Sequence, residues 1–173
     1  MNKLLILLFF FSSSLFAEVI QKDKHGFKII IKKTVNVSSS ATYKQFLNIS
    51  QWWNKDHTWF GKSENLTLEP KAGGCFCEKS KGREVLHMTV SYVDPNTELR
   101  MIGGLGPLQI MGVQGGMSWK FSAITQTKTE IIHTYQVVGF MPEGLDKLAA
   151  VVDKVQSSQV DSLITQLNSK HLK

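Results

Sequence analysis

The chain has 173 residues, a formal net charge of +6 and 42% hydrophobic residues, room for one domain with a sizeable core. Its basic surplus is spread over Lys22, Lys24, Lys28, Lys32, Lys33, Lys79, Lys81 and Arg83. Nucleic-acid binders combine a dense basic face with a recognisable motif, and without one this surplus describes a solvated basic surface.

Lys3 precedes an unbroken apolar run over 4–11, then Ser12-Ser13-Ser14 and Leu15-Phe16-Ala17. A charged start, a short apolar run and a small residue make a secretory signal peptide. The run is well short of the about 20 residues a spanning helix needs. Cleavage after Ala17 is expected, leaving 18–173 as one domain, periplasmic or secreted, with no stable membrane anchor.

From 27 to 37 the pattern alternates, with Ile29, Ile31, Val35 and Val37 on one face and Lys28, Lys32, Thr34 and Asn36 on the other, predicting a half-buried strand. Ser38-Ser39-Ser40 offers N-caps for a short helix over 41–49, with Tyr43, Phe46 and Leu47 inward. A second short helix or turn over 51–55 leads into a loop crowded by Trp52, Trp53, Trp59 and Phe60. Aromatics at this density build core or rim an apolar pocket. Short strands follow at 66–69, 74–79, 84–93, 98–102, 115–124 and 130–140, broken by turns at Asp94-Pro95-Asn96 and 125–128. Strands without crossover helices pair antiparallel. Gly103-Gly104-Leu105-Gly106-Pro107-Leu108-Gln109 interrupts them. No Gly-Lys-Ser/Thr follows, so it is not a phosphate loop. Pro107 instead starts one helical turn that lies as a flap over one end of the sheet.

Leu145, Leu148, Val152, Val155, Leu163 and Leu167 recur at helical spacing and predict a final helix over 145–167, roughly 35 Å long. Gln159 interrupts its apolar stripe. If the helix grips a cavity, Gln159 and Gln156 are its polar contribution to the wall. If Gln159 faces solvent, the helix only lids an ordinary core.

This order resembles the START-like superfamily, also called SRPBCC, helix-grip or polyketide-cyclase/dehydrase, over 27–167. Gly73-Gly74-Cys75-Phe76-Cys77-Glu78, the flap sequence and Val152-Asp153-Lys154-Val155 resemble an exported bacterial branch of it. The resemblance implies an α+β fold: a curved antiparallel sheet of about seven strands wrapped around a long C-terminal helix, with two short helices after the first strand. Members include lipid and polyketide binders, cyclases, allergens and chaperone activators, so the fold alone does not select a function.

Two constellations carry chemistry. A three-residue loop Ser80-Lys81-Gly82 would pair Cys77 with Val85, Phe76 with Leu86 and Cys75 with His87. Cys75, Cys77 and His87 would then share one face while Phe76, Leu86 and Val90 point to the core. A two-residue Lys81-Gly82 loop would shift this register by one. Three readings of the cluster stay open: two half-buried thiols beside a hydrogen-bonded His, a Cys75–Cys77 disulfide, or a zinc or copper site with only His57 as a loop ligand. Strand neighbours two apart stand about 6.6 Å from each other, at the long end for a disulfide. Glu78 and Glu84 belong, on this register, to a solvated hairpin end.

The second constellation faces the last helix. Met117, Trp119 and Phe121 alternate on one strand, and Ile131, His133, Tyr135 and Val137 on the next. His133, Tyr135 and Arg100 would present polar ends to an amphipathic molecule, with Trp53, Trp59, Val152, Gln156 and Gln159 completing its site. The bland alternative for His133 is a core imidazole bonded to Tyr or backbone. No Gly-x-Ser-x-Gly, His-Glu-x-x-His or paired-carboxylate motif is present, and nothing calls for a cofactor. The first expectation is therefore a domain binding a hydrophobic or amphipathic small molecule. The alternatives are a cyclase/dehydrase-type enzyme using His133 and Tyr135 as acid and base, and a protein-interaction module of the chaperone-activator kind.

Overall fold

Ile29, Ile31 and Val35 do point to one side of a strand and are almost wholly buried, as the period-two pattern demands. In the computed structural model, which describes residues 18–171, this strand is the second of eight. The strands are β1 (Glu18–Asp23), β2 (Gly26–Val35), β3 (Leu66–Leu68), β4 (Cys75–Ser80), β5 (Arg83–Asp94), β6 (Glu98–Ile102), β7 (Gln114–Thr125) and β8 (Lys128–Val138). They form one open antiparallel sheet in the order β1-β2-β8-β7-β6-β5-β4-β3. The expected signal peptide, 1–17, lies outside the described residues.

β1 is one strand more than the alternation from 27 onward predicts. Asp23 makes its hairpin: its Oδ1 accepts from the backbone N–H of His25 at 2.7 Å and of Gly26 at 3.1 Å, turning the chain back into β2. Helix α1 (Ser39–Leu47) is capped by Ser38, whose side chain accepts from Ala41 N. It lays Tyr43 and Phe46 on β7, where both rings meet Phe121.

A single 3₁₀ turn (Leu145–Lys147) leads into α2 (Ala149–His171), which crosses the sheet. Its seam against the sheet is Ala149, Gln156, Gln159, Val160, Leu163 and Leu167, all buried. The expected stripe residues Leu148, Val152 and Val155 sit to one side of that seam and are only half-buried. The architecture is α+β and helix-grip: a curved antiparallel sheet gripping its C-terminal helix, with short helices following the strand that opens at Gly26. Among the described residues no helix is long and apolar enough to cross a membrane.

The β4–β5 hairpin differs from the expected register. Its loop is two residues, with Lys81 at φ 48° and Gly82 at φ 78°, so Ser80 pairs with Arg83 and Cys77 with Leu86. Both central residues at positive φ is the geometry whose twist matches two antiparallel strands, and Gly82 takes it without steric cost. A shifted register would send the apolar side chains of β5 outward, and a bulge prevents this. Phe76 pairs with Met88, leaving His87 as an extra residue on β5. His87 and Met88 are therefore both buried, and Leu86, expected in the core, is 55% exposed.

Candidate functional site

Leu105, Pro107, Leu108 and Met111 arch over one end of the sheet around a 3₁₀ turn (Gly106–Gln109) that begins at Gly106, one residue before the expected Pro107. Tyr135 on β8 holds this flap. Its hydroxyl accepts from Leu105 N at 3.0 Å and lies 3.5 Å from Gly103 O. Burial pushes the phenol up to about 12, with the Leu105 bond opposing, so it stays protonated. Gln109 adds a second tie, donating to Leu86 O at 2.6 Å.

Gly115, beside Tyr135, has no room for a side chain. A Cβ there would stand 2.5 Å from Gly103 O and 2.8 Å from the Tyr135 hydroxyl. Gly115→Ala is expected to lower stability by about 1–3 kcal/mol through this overpacking. It should also speed hydrogen exchange at Leu105 N, which mass spectrometry or NMR would read; unchanged exchange would show that Tyr135 does not hold the flap.

Across from the flap, Trp53 Nε1 donates to His57 O at 3.1 Å and anchors the loop carrying Asp56, His57, Thr58 and Trp59. Gln159, fully buried on α2, clamps the same loop. Its Oε1 accepts from Asn54 N at 2.9 Å and its amide nitrogen reaches His57 Nδ1 at 2.6 Å. Gln159 thus turns inward, yet its function is to tie the loop to the helix rather than to line a cavity.

Between flap, loop and the first turns of α2 lies a cavity of about 520 Å³. Its wall is Leu105, Leu108, Met111, Leu148, Val151, Val152, Val155, Trp53 and Trp59, interrupted by Asp56, His57, Thr58, His87, Tyr135 and Gln156. The half-buried Leu148, Val152 and Val155 are explained here, because each lines this space, Leu148 and Val152 while also packing against the core.

Of the expected ligand-binding residues, Trp53, Trp59, Tyr135, Val152 and Gln156 stand on this wall. Met117, Trp119 and Phe121 do face inward on β7, opposite Tyr135, His133 and Ile131, but Trp119 and Phe121 are consumed by packing on Phe46 of α1, and Met117 is buried with its Sδ accepting from Trp119 Nε1 at 3.4 Å. His133 is wholly buried behind Gln156. Its Nε2 lies 2.9 Å from Gln156 Oε1, and its ring centroid is 4.1 Å from that of Trp119. Desolvation pushes His133 down to about 4, opposed by its bonds to Gln156 and the Ser118 backbone, so it is neutral at pH 7.

Arg100 is on the opposite face of the sheet, since Leu99 and Met101 beside it point inward. There it makes a fork on Glu98, with Nε and Nη2 each 2.8 Å from a carboxylate oxygen, and lies over the Tyr92 ring. It cannot join His133 and Tyr135 at a ligand. Nor do those two converge on one point of the cavity: Gln156, not His133, is on the wall, and the Tyr135 hydroxyl is held by the flap backbone. An acid/base pair of His133 and Tyr135 lacks the geometry it requires.

The bulge also dissolves the expected cluster of Cys75, Cys77 and His87. Cys75 and Cys77 form a disulfide on the face opposite Phe76. Their Cα atoms are 5.4 Å apart, closer than regular strand spacing would set them. His87 points the other way, onto the cavity wall, and among the described residues no three His, Cys, Asp or Glu side chains converge as a metal site.

His87 meets Glu78 instead, with Nε2 3.3 Å from Oε2. Glu78, expected at a solvated hairpin end, is 0% exposed. Its two oxygens accept from Trp59 N at 2.8 Å and Phe60 N at 2.7 Å. One buried carboxylate thus fixes both the aromatic loop and the cavity imidazole. Burial holds His87 below its ordinary value, with the Glu78 charge opposing, so it too is neutral at pH 7. Nothing in the periodicity marks Glu78 and His87 as partners; only the two-residue turn together with the bulge brings them onto one face.

Similar solved structures share this sheet and helix. They include an uncharacterized protein from Rhizobium leguminosarum, 17% identical with TM-score 0.62, covering 83% of this chain and 95% of that one. CalU16 from Micromonospora echinospora is 12% identical with TM-score 0.52, covering 82% of this chain and 74% of that one. DynU16, a protein in the dynemicin biosynthetic locus, is 14% identical with TM-score 0.56; 83% of this chain matches 48% of that one. No family model and no curated protein matches the chain. At these identities the likeness establishes the fold.

Proposed function

We propose that this is an exported START-like domain that holds a hydrophobic or amphipathic small molecule, lipid or polyketide-like, between its sheet, flap and C-terminal helix. The observation that carries this is the cavity itself. At about 520 Å³, largely apolar and with a few fixed polar groups, it has the size and lining of small-molecule sites, which run from about 300 to 1,000 Å³. Leu148 and three valines of α2, Val151, Val152 and Val155, line this space and are left only partly buried or exposed, which a helix packed only for stability would avoid. The place of DynU16 in a biosynthetic locus is in keeping with small-molecule work for this fold. Export is supported by Lys3 and the apolar run at 4–11, and the Cys75–Cys77 disulfide suits an oxidising compartment. N-terminal sequencing of protein recovered from the cell envelope would test it; a chain that keeps residues 1–17 and stays in the cytoplasm would overturn it.

Val152→Trp tests the cavity. The indole should fill the space beside Leu148 and Gln156, weakening uptake of a neutral solvatochromic dye such as Nile red by at least about tenfold with the fold intact. Equal dye binding by variant and wild type would show that the cavity is not the site. Native mass spectrometry of envelope-purified protein should show a bound mass that Val152→Trp lacks.

A further inference from the structure

The Cys75–Cys77 bridge and the β5 bulge occupy the same place in the sheet ladder. The two Cα atoms are drawn to 5.4 Å, about 1 Å less than two regular strand residues span. Opposite them, the single step from Phe76 to Cys77 on β4 faces the double step from Met88 to Leu86 on β5. A shortened strand cannot keep a regular ladder with an extended partner, so the irregularity is placed beside the bridge.

The apolar pattern does not ask for it there. The tight turn and the buried Met88 together require one extra residue on β5 between Arg83 and Met88, and Val85 satisfies that requirement as well as His87 does. A bulge at Val85 would set Leu86 opposite Glu78 on the inner face and His87 opposite Cys77 on the outer face. The Ser80–Arg83 and Phe76–Met88 pairs would be unchanged. That arrangement buries a leucine and exposes an imidazole, which is the usual preference. The observed one does the reverse, with Leu86 55% exposed and His87 4%. The bulge also carries the flap, because Gln109 donates to Leu86 O at 2.6 Å and to His87 O at 3.2 Å. Turning the two residues over would aim both carbonyls away from Gln109.

We propose that the Cys75–Cys77 disulfide is a redox switch of this bulge. Oxidised, it holds His87 on the cavity wall against Glu78. Reduced, it lets the bulge slide to Val85, so that Leu86 replaces His87 and the Gln109 tie to the flap is released. In the oxidation an S–S bond forms in β4 as that of a donor disulfide breaks, and two electrons and both thiol protons pass to the donor; a dithiol reverses the exchange. The consequence for a ligand rests on the small-molecule reading above, whereas the change of pairing does not.

Cross-strand NMR contacts test it in the full chain, compared as the oxidised protein, after refolding in dithiothreitol, and as the Cys75→Ser/Cys77→Ser double variant. Residue 77 should face Leu86 in the oxidised chain; in the other two that contact should be lost and replaced by one to His87. Leu86→Asp, which would set a second carboxylate beside Glu78 if it turned inward, should hold the reduced chain in the oxidised pairing. Oxidised pairing kept by both the reduced wild type and the double variant would overturn the proposal. So would a chain that folds only when oxidised, since the bridge would then hold the whole fold rather than one bulge. Bound Nile red should emit further to the blue in the reduced chain, whose wall carries Leu86 in place of His87. Unchanged emission would overturn the exchange of the wall. Absence of dye binding in both forms would overturn the small-molecule reading and leave the switch to be decided by the pairing.

Discussion

Trp119→Ala is expected to lower the free energy of unfolding by about 3–5 kcal/mol, the range for emptying a fully buried large aromatic site. Trp119 is 1% exposed, and its ring centroid lies 5.1 Å from Phe46, 5.6 Å from Trp52 and 4.1 Å from His133. Those neighbours come from α1, from the residue that ends the 3₁₀ turn (Ile49–Gln51) after it and from β8, so no single element can shift to close the hole. Domains of this kind have a total stability of about 5–15 kcal/mol, and the variant should stand near the threshold of folding. Denaturant unfolding followed by circular dichroism measures it. A loss under about 1 kcal/mol would mean that the aromatic cluster packs loosely enough to collapse. The same experiment bears on function, because Trp52 adjoins Trp53, which forms part of the cavity wall.

What was legible in the residues, and what was not, divides along one physical line. Side-chain alternation on β2, β7 and β8 is local, and it placed Ile29, Trp119, His133 and Tyr135 on the inner face as they stand. Pro107 and the glycines around it marked the flap for the same local reason. Arg100 lies on the outer face although its strand is the expected one, because alternation along β6 sets it opposite the buried Leu99 and Met101. The β4–β5 hairpin failed for a non-local reason. Loop length and bulge each shift the register by one, and beyond residue 87 the two shifts add to a full two-residue repeat that restores the facing, so the apolar pattern of Phe76 and Val90 fits either solution. Only the residues between them reveal which occurred, and those are Glu78, Leu86 and His87. The candidate site thus fell in the stretch where pattern was least informative. The apolar stripe expected over 145–167 conflated two surfaces: Leu145, Leu163 and Leu167 are buried in the core, whereas Leu148, Val152 and Val155 line the cavity. A spacing rule cannot tell a neighbour from an empty space.

The second large effect is a pH dependence centred on His133. In the unfolded chain this imidazole titrates near 6.5, and in the native protein burial pushes it down to about 4. Between those values the unfolded state takes up a proton that the native state refuses. Stability therefore falls as the pH drops from 6.5 toward 4, and the loss levels off below 4. The gap corresponds to about 3 kcal/mol at full development. His87, also lowered by burial, and Glu98, held low by Arg100, push in the same direction, so the wild-type curve alone does not isolate His133. His133→Gln removes the titration and keeps an N–H donor for Gln156 Oε1. Subtracting the variant's unfolding free energies from those of the wild type, pH by pH, should leave a slope confined to that window. A flat difference would place a charged or solvated His133 in the native state, and with it a path for water from the cavity past Gln156 to the imidazole. That result would reopen the acid/base role that the present packing denies it.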